Sequence, residues 1–165
     1  CGATVMIRRT VYKTIGGYRE KLIGFSYQDY DWVSLVVDKF KSVNLSLELY
    51  MYRQHGSSVS KTISLMRRIG FDLVKGLINQ RITVGFDVLQ ENDENKFNKM
   101  VADLSKPYVL DKSLVFQQTA ITLLYAGVSK EACSYAWKAV RVKPVSYRNF
   151  ATLKYALMEY LKSLV

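Results

Sequence analysis

The chain has 165 residues, of which 49% are hydrophobic and 13% aromatic, with 2 prolines and 9 glycines. This composition is typical of a folded protein and excludes the weakly hydrophobic, highly charged class of disordered chains. Twenty-four Lys and Arg against 14 Asp and Glu give a net charge of +10, which indicates either a solvated basic surface or an anionic partner such as a nucleotide phosphate, a lipid headgroup or a nucleic acid.

The first 60 residues predict a small α/β unit. Residues 3–7 are β-branched or apolar and predict a strand, and a helical turn over 11–15 ends at two glycines. Apolar residues cover most of the surface of a helix predicted over 28–40, so this helix should be buried on most sides. Residues 43–52 alternate between apolar and polar side chains, which predicts a strand with one buried face.

Only helical patterns follow residue 61. Helices are predicted over 63–89, 94–104, 113–125, 130–142 and 147–164, with breaks at 92–93, 106–107, 127 and 143–144. Residues 132–144 resemble the second helix of a tetratricopeptide hairpin, with small residues at 132, 136 and 139, and a helical hairpin packed on its neighbours is expected. The predicted fold class is therefore α+β and mostly α, with an α/β part over 1–60 and a helical extension over 61–165.

Three motifs occur in order within the first 60 residues: Ile15-Gly16-Gly17-Tyr18, then Gln28-Asp29-Tyr30-Asp31-Trp32, then a run over 52–60 that begins Tyr52-Arg53-Gln54-His55. Their order and spacing resemble the second half of the family 2 nucleotide-sugar glycosyltransferases, which have the GT-A fold. In that family a Gly-Gly-aromatic turn precedes a Glu-Asp motif that opens a helix, and a strand then ends in Tyr-Arg-x-His-x-x-Ser. The resemblance implies that residues 1–60 are a small α/β remnant of the acceptor half of a GT-A domain, and that the nucleotide-binding half is absent from this chain.

The resemblance also implies roles for residues of the second motif. Asp29 is expected to be the catalytic base that removes the proton of the acceptor hydroxyl, although an Asp at the start of a helix is also a common capping residue. Gln28 replaces the family's usual Glu, and Gln28, Asp31 and Trp32 are expected to contact substrate. Asp29 and Asp31 are not interpreted as a metal-binding Asp-x-Asp, because that motif belongs to an earlier strand in the family.

Residues of the third motif are expected to contact the donor. The resemblance implies that His55 contacts a divalent metal, Mn or Mg, or the diphosphate, although a lone histidine in a loop is often merely exposed to solvent. Arg53 suits phosphate oxygens. Ser57 and Ser58 belong to a flexible segment of the kind that closes over a bound nucleotide.

The resulting hypothesis is part of an inverting glycosyltransferase that moves a sugar from a nucleotide-sugar donor to a hydroxyl of a glycan or lipid-linked saccharide. The 165 residues alone are expected to be inactive. A helical protein-interaction or membrane-docking module over 61–165 is the alternative. Nucleic-acid binding is not expected, because no recognition signature accompanies the charge, and the oligomeric state stays open.

The helix predicted over 147–164 bears on that alternative. Its apolar residues recur at three- and four-residue steps, with Arg148, Lys154 and Lys162 around the stripe. Such a stripe either packs on the preceding hairpin or docks on an anionic membrane.

Two further features concern the compartment. Cys1 and Cys133 are far apart and have no second Cys or His at ligand spacing, so neither a disulfide scaffold nor a zinc site is expected. No apolar run approaches the roughly 20 residues that span a bilayer, and neither end resembles a secretory signal. We therefore expect a cytoplasmic protein, either free or peripheral to the membrane.

Overall fold

The computed structural model describes residues 4–51 and 64–164, in which all regular secondary structure is helical. The α-helices of these residues are α1 (Arg9–Ile15), α2 (Gln28–Lys39), α3 (Leu65–Val84), α4 (Glu94–Leu110), α5 (Ser113–Tyr125), α6 (Ser129–Val142) and α7 (Tyr147–Lys162). A short 3₁₀ turn covers Glu20–Leu22. The helical periodicity of the sequence located α2, α5, α6 and α7 to within two residues at each end.

The predicted α+β fold class is wrong. None of residues 4–51 and 64–164 is in a strand, so a small α/β remnant of a GT-A domain is not supported. A strand needs backbone hydrogen bonds to a neighbouring strand as well as a buried face. Residues 43–51 are in no strand, and their alternating aliphatic side chains from Val43 to Leu49 are 67 to 83% exposed. The period-two pattern is real, but no layer formed by residues 4–51 and 64–164 covers it.

The chain divides into two compact units inside α4, between Leu104 and Ser105. The sequence predicted a boundary at residue 60 and a helix that ends before Pro107. Pro107 instead lies within α4, where it has no N–H to donate to the preceding turn. The helix continues past it because the next turn is bonded normally, with the Asp111 N–H donating to the Pro107 carbonyl at 2.9 Å.

Helix α3 supplies the centre of the first unit, Cys1–Leu104. Its buried positions recur every three or four residues and so share one face: Ile69, Gly70, Leu73, Val74, Leu77 and Arg81. At its start, the Ser64 hydroxyl accepts a hydrogen bond from the Arg67 backbone N–H at 3.2 Å. Gly85, with φ of 92°, ends the helix in the left-handed conformation that glycine adopts without strain.

Gly70 lies where α3 passes closest to the loop before α2. A Cβ at Gly70 would stand 2.0 Å from the Phe25 carbonyl oxygen, a backbone atom that moves only with its loop. We therefore expect Gly70→Ala to lower the free energy of unfolding by about 1–3 kcal/mol in urea denaturation. Gly76→Ala is the matched control, because its Cβ would meet only the flexible end of Met100, at 3.1 Å. It should be neutral or stabilise by up to about 1 kcal/mol, and equal stabilities of the two variants would contradict the close approach.

The second unit, Ser105–Val165, is a three-helix assembly of α5, α6 and α7. Small residues let these helices approach closely, and Ala120, Ala132, Ala136 and Ala156 are fully buried at their contacts. The small residues at 132, 136 and 139, from which a hairpin is expected, are all buried alanines, and α6 packs on both α5 and α7.

One buried polar side chain links α7 to the end of α6. The Asn149 side-chain amide donates to the carbonyls of Ala139 and Lys143, at 3.1 and 3.3 Å. It thereby adds a second hydrogen bond to each of these carbonyls, which also accept from the backbone N–H groups of Lys143 and Ser146.

In the part of the chain that the structure describes, no helix combines the length and the apolar character needed to cross a bilayer.

Candidate functional site

The Gly-Gly-Tyr turn and helix α2 meet at one place in the first unit. The Trp32 indole Nε1 donates a hydrogen bond to the Gly16 carbonyl at 2.8 Å. The rings of Tyr18 and Trp32 contact edge to face, with centroids 6.2 Å apart. Gly16 has φ of 82°, a conformation that favours glycine at the end of α1. Two of the three sequence motifs therefore form a single structural element.

An open surface cavity of about 320 Å³ lies beside this turn. It is lined by Val5, Ile7, Tyr12, Gly17, Tyr18 and Trp32. Trp32 is buried against the core, whereas both tyrosines are about half exposed at the cavity. Two tyrosine hydroxyls on aromatic and aliphatic walls suit a small ligand that has both apolar C–H faces and hydroxyl groups.

Asp29 lies in the first turn of α2, three residues before Trp32. Residues three apart are neighbours on one helix face, so Asp29 is on an adjoining part of the α2 surface to the tryptophan that lines the cavity, although Asp29 does not line it. Asp29 is half-buried, and its Oδ1 accepts a hydrogen bond from the Tyr30 N–H at 2.9 Å. This bond gives a partner to one backbone N–H of the first helical turn, but the N-cap residue of α2 is Tyr27. Asp29 is therefore not the N-cap residue that its sequence position suggested.

The backbone before Asp29 is strained. Ser26 and Tyr27 have φ of 64° and 65°, a region that costs non-glycine residues about 1–3 kcal/mol each. Such conformations occur preferentially at functional sites, where the surrounding structure holds them in place. Their position directly before Gln28 and Asp29 is consistent with a functional role for this end of α2.

Asp31 is on another side of α2 and is fully buried. Residues two apart on a helix do not face each other, so Asp29 and Asp31 do not form a carboxylate pair. The Asp31 carboxylate accepts two hydrogen bonds from Arg19, one from Nε at 2.8 Å and one from Nη2. We therefore leave Asp31 out of the candidate substrate contacts.

Arg19 also belongs to a buried charge network that sequence reasoning missed. Its Nη1 donates to both carboxylate oxygens of Asp87, at 2.7 and 2.8 Å. On the other side of Asp87, Arg81 Nη1 donates to Oδ2 at 2.6 Å. Arg81 also donates to Asp38 at 2.6 Å and to the Ser34 hydroxyl at 2.5 Å. These groups connect α2, α3 and the segments on either side of them.

The network shifts the pKa values of two of its members, Asp87 and Arg19. Burial alone would raise the pKa of Asp87, but hydrogen bonds and attraction from Arg19, with a hydrogen bond from Arg81, outweigh it and lower that pKa. Burial alone would likewise lower the pKa of Arg19, and its hydrogen bonds to Asp31 and Asp87 raise it instead. Asp87 and Arg19 therefore stay ionised at neutral pH and act as structural ions.

The remaining predicted site residues divide into two groups. Gln28 is half-buried at the start of α2, next to Asp29. Arg53, His55, Ser57 and Ser58 lie outside the described residues, and their predicted contacts with the donor or with metal stay predictions. Within 4–51 and 64–164, no group of three or more His, Cys, Asp or Glu side chains could hold a metal ion. The described residues therefore do not fit an Mn or Mg site by themselves.

Comparison of the chain with protein-family models, with curated proteins and with solved structures finds no match. A functional assignment therefore depends on the residues described above.

Proposed function

We propose that the chain is the acceptor-side part of a nucleotide-sugar glycosyltransferase in which Asp29 is the catalytic base. The supporting observation is that the Gly16–Tyr18 turn and Trp32 meet at one aromatic-lined cavity, with Asp29 one helical turn away. These are the two described motifs whose order and spacing resemble the family 2 enzymes. The acceptor is a saccharide, whose C–H faces pack on aromatic rings and whose hydroxyls bond with tyrosine.

In the proposed reaction, the acceptor oxygen forms a bond to the anomeric carbon of the donor sugar. The bond from that carbon to the diphosphate oxygen breaks, and the nucleoside diphosphate leaves with its electron pair. The hydroxyl proton passes to the Asp29 carboxylate, which makes the oxygen a better nucleophile as the new bond forms. Attack opposite the leaving group inverts the anomeric carbon.

The donor side of the reaction is not assigned to the described residues. Asp31, the other carboxylate of the second motif, is held by Arg19. We assign no residue of 4–51 and 64–164 to the diphosphate or to a metal ion, so acceptor binding and proton removal are the roles proposed here. The 165 residues alone are expected to bind acceptor without transferring sugar.

Saccharide binding tests this proposal directly. Trp32 lines the cavity and Trp137 is an exposed residue of α6, so Trp137→Phe leaves Trp32 as the only tryptophan. We expect acceptor saccharides to change the fluorescence of Trp32 in this variant. Tyr18→Ala should weaken the binding by about twofold to tenfold, because an aromatic contact contributes about 0.5–1.5 kcal/mol.

Tyr125→Ala is the matched control, because Tyr125 is a 90% exposed tyrosine of the second unit. It should bind saccharide as the parent does. If no mono- or oligosaccharide perturbs Trp32, or if the Tyr18 and Tyr125 variants bind alike, the cavity is not an acceptor site.

A further inference from the structure

The solvent-facing side of α7 carries a contiguous apolar stripe, which is flanked by the exposed basic residues Arg148 and Lys162. This outer face consists of Tyr147, Phe150, Lys154, Leu157, Met158 and Leu161, which recur at three- and four-residue steps. Its apolar members are 45 to 85% exposed. The opposite side of α7, which includes Asn149 and Ala156, is the one buried in the second unit.

Only part of the stripe predicted from sequence is therefore covered by the hairpin. Leu153 packs on the core cluster of the second unit and Tyr160 is half-buried. Phe150, Leu157 and Leu161 point outward. Contiguous apolar surface of this kind on a helix marks an interaction site more often than scattered exposed residues do.

The charge around the outer face indicates the kind of partner. Residues 105–165 contain nine Lys and Arg and only three Asp and Glu, a net charge of +6. Lys154 lies within the outer face itself. Two of the three acidic residues are already paired with lysines, Asp111 with Lys143 at 2.6 Å and Glu159 with Lys162 at 2.8 Å. An anionic partner is therefore favoured.

We propose that the outer face of α7 docks the second unit on an anionic lipid bilayer surface. Leucine, methionine and phenylalanine side chains would enter the boundary between headgroups and acyl chains, with tyrosines at the level of the headgroups. Lys154 reaches the phosphates because its long stem lies along the apolar surface while the ammonium stays at the interface. A second copy of the chain fits less well, because pairing of two outer faces would bring lysines and two net positive units together.

Co-sedimentation of the 165-residue chain with lipid vesicles tests the proposal. We expect binding to vesicles that contain phosphatidylglycerol, weaker binding at high salt, and no measurable binding to pure phosphatidylcholine. Lys154→Gln should weaken binding about fivefold, since a basic side chain at an anionic surface contributes about 1 kcal/mol and tenfold corresponds to about 1.4 kcal/mol. Leu161→Glu should abolish binding.

Ile82→Glu is the matched control. Ile82 is an exposed aliphatic residue of α3 in the first unit, so the change alters the net charge equally but leaves the outer face intact. It should bind vesicles almost as the parent does, and circular dichroism should show that both variants remain helical. Three results would overturn the proposal: no binding to anionic vesicles at low salt, equal binding of the Leu161 and Ile82 variants, or a stable dimer in solution that Leu161→Glu dissociates.

Discussion

Asp29→Asn is expected to lower the turnover of the complete transferase by about 10² to 10⁴, the usual contribution of a general base. Donor affinity should stay nearly unchanged, because the base acts on the acceptor proton only as the new bond forms. The amide has almost the same shape as the carboxylate and can still accept from the Tyr30 N–H. Initial rates of sugar transfer at saturating donor, with the dissociation constant of the donor measured separately, check this expectation.

Two further variants make the result specific to Asp29. Asp72→Asn removes the same charge from an exposed position of α3, and its turnover should be near that of the parent. Asp31→Asn changes a buried ion held by Arg19, so any loss of activity should be accompanied by a loss of stability. If Asp29→Asn retained turnover while a stably folded Asp31→Asn protein lost it, the roles of the two carboxylates would have to be exchanged.

The helical part of the fold was predictable because its signal is local. Each helix from α5 to α7 has apolar residues at three- and four-residue steps, and that period is set by the geometry of a single helix. The strand predicted over 43–52 failed for the opposite reason. Alternation describes how side chains would be divided between two faces, but a strand also needs a neighbour.

The candidate site was predictable only in part. The Gly-Gly-Tyr turn and Trp32 were identified as motifs, but their contact depends on the indole hydrogen bond across 16 residues. The network of Arg19 and Asp87 joins residues 68 apart, and no local pattern connects them. One local sign was present: Arg81 continues the apolar stripe of α3, four residues after Leu77. A charged residue in that register indicates a buried ionic partner.

The sequence of α7 likewise identified an amphipathic helix but not the side that its neighbours cover. Ala156 and Asn149 are the two buried residues of α7, and neither belongs to the large apolar stripe. Small and polar side chains allow the helices to approach, and only Leu153 and Tyr160 of the larger residues are turned toward that side. The apolar periodicity alone therefore left open whether Phe150, Leu157 and Leu161 face the hairpin or the solvent.

Arg81→Ala is expected to lower the free energy of unfolding of the first unit by about 3–5 kcal/mol, as loss of one partner from a buried ion pair does. The Arg81 side chain is 5% exposed and the Asp87 side chain is fully buried. Removal of the guanidinium leaves Arg19, which also bonds Asp31, as the basic partner of the Asp87 carboxylate. It also leaves a cavity between α2 and α3. Urea denaturation followed by Trp32 fluorescence in the Trp137→Phe background reports on this unit alone.

Lys75→Ala, an exposed change on the same helix, should stay within about 0.5 kcal/mol of the parent. If Arg81→Ala is too unstable to measure, Arg81→Lys should show a smaller but distinct loss, because one ammonium cannot reproduce the guanidinium's separate bonds to Asp87, Asp38 and Ser34. Losses in both Arg81 variants no larger than that of Lys75→Ala would mean that the buried network does not stabilise the unit.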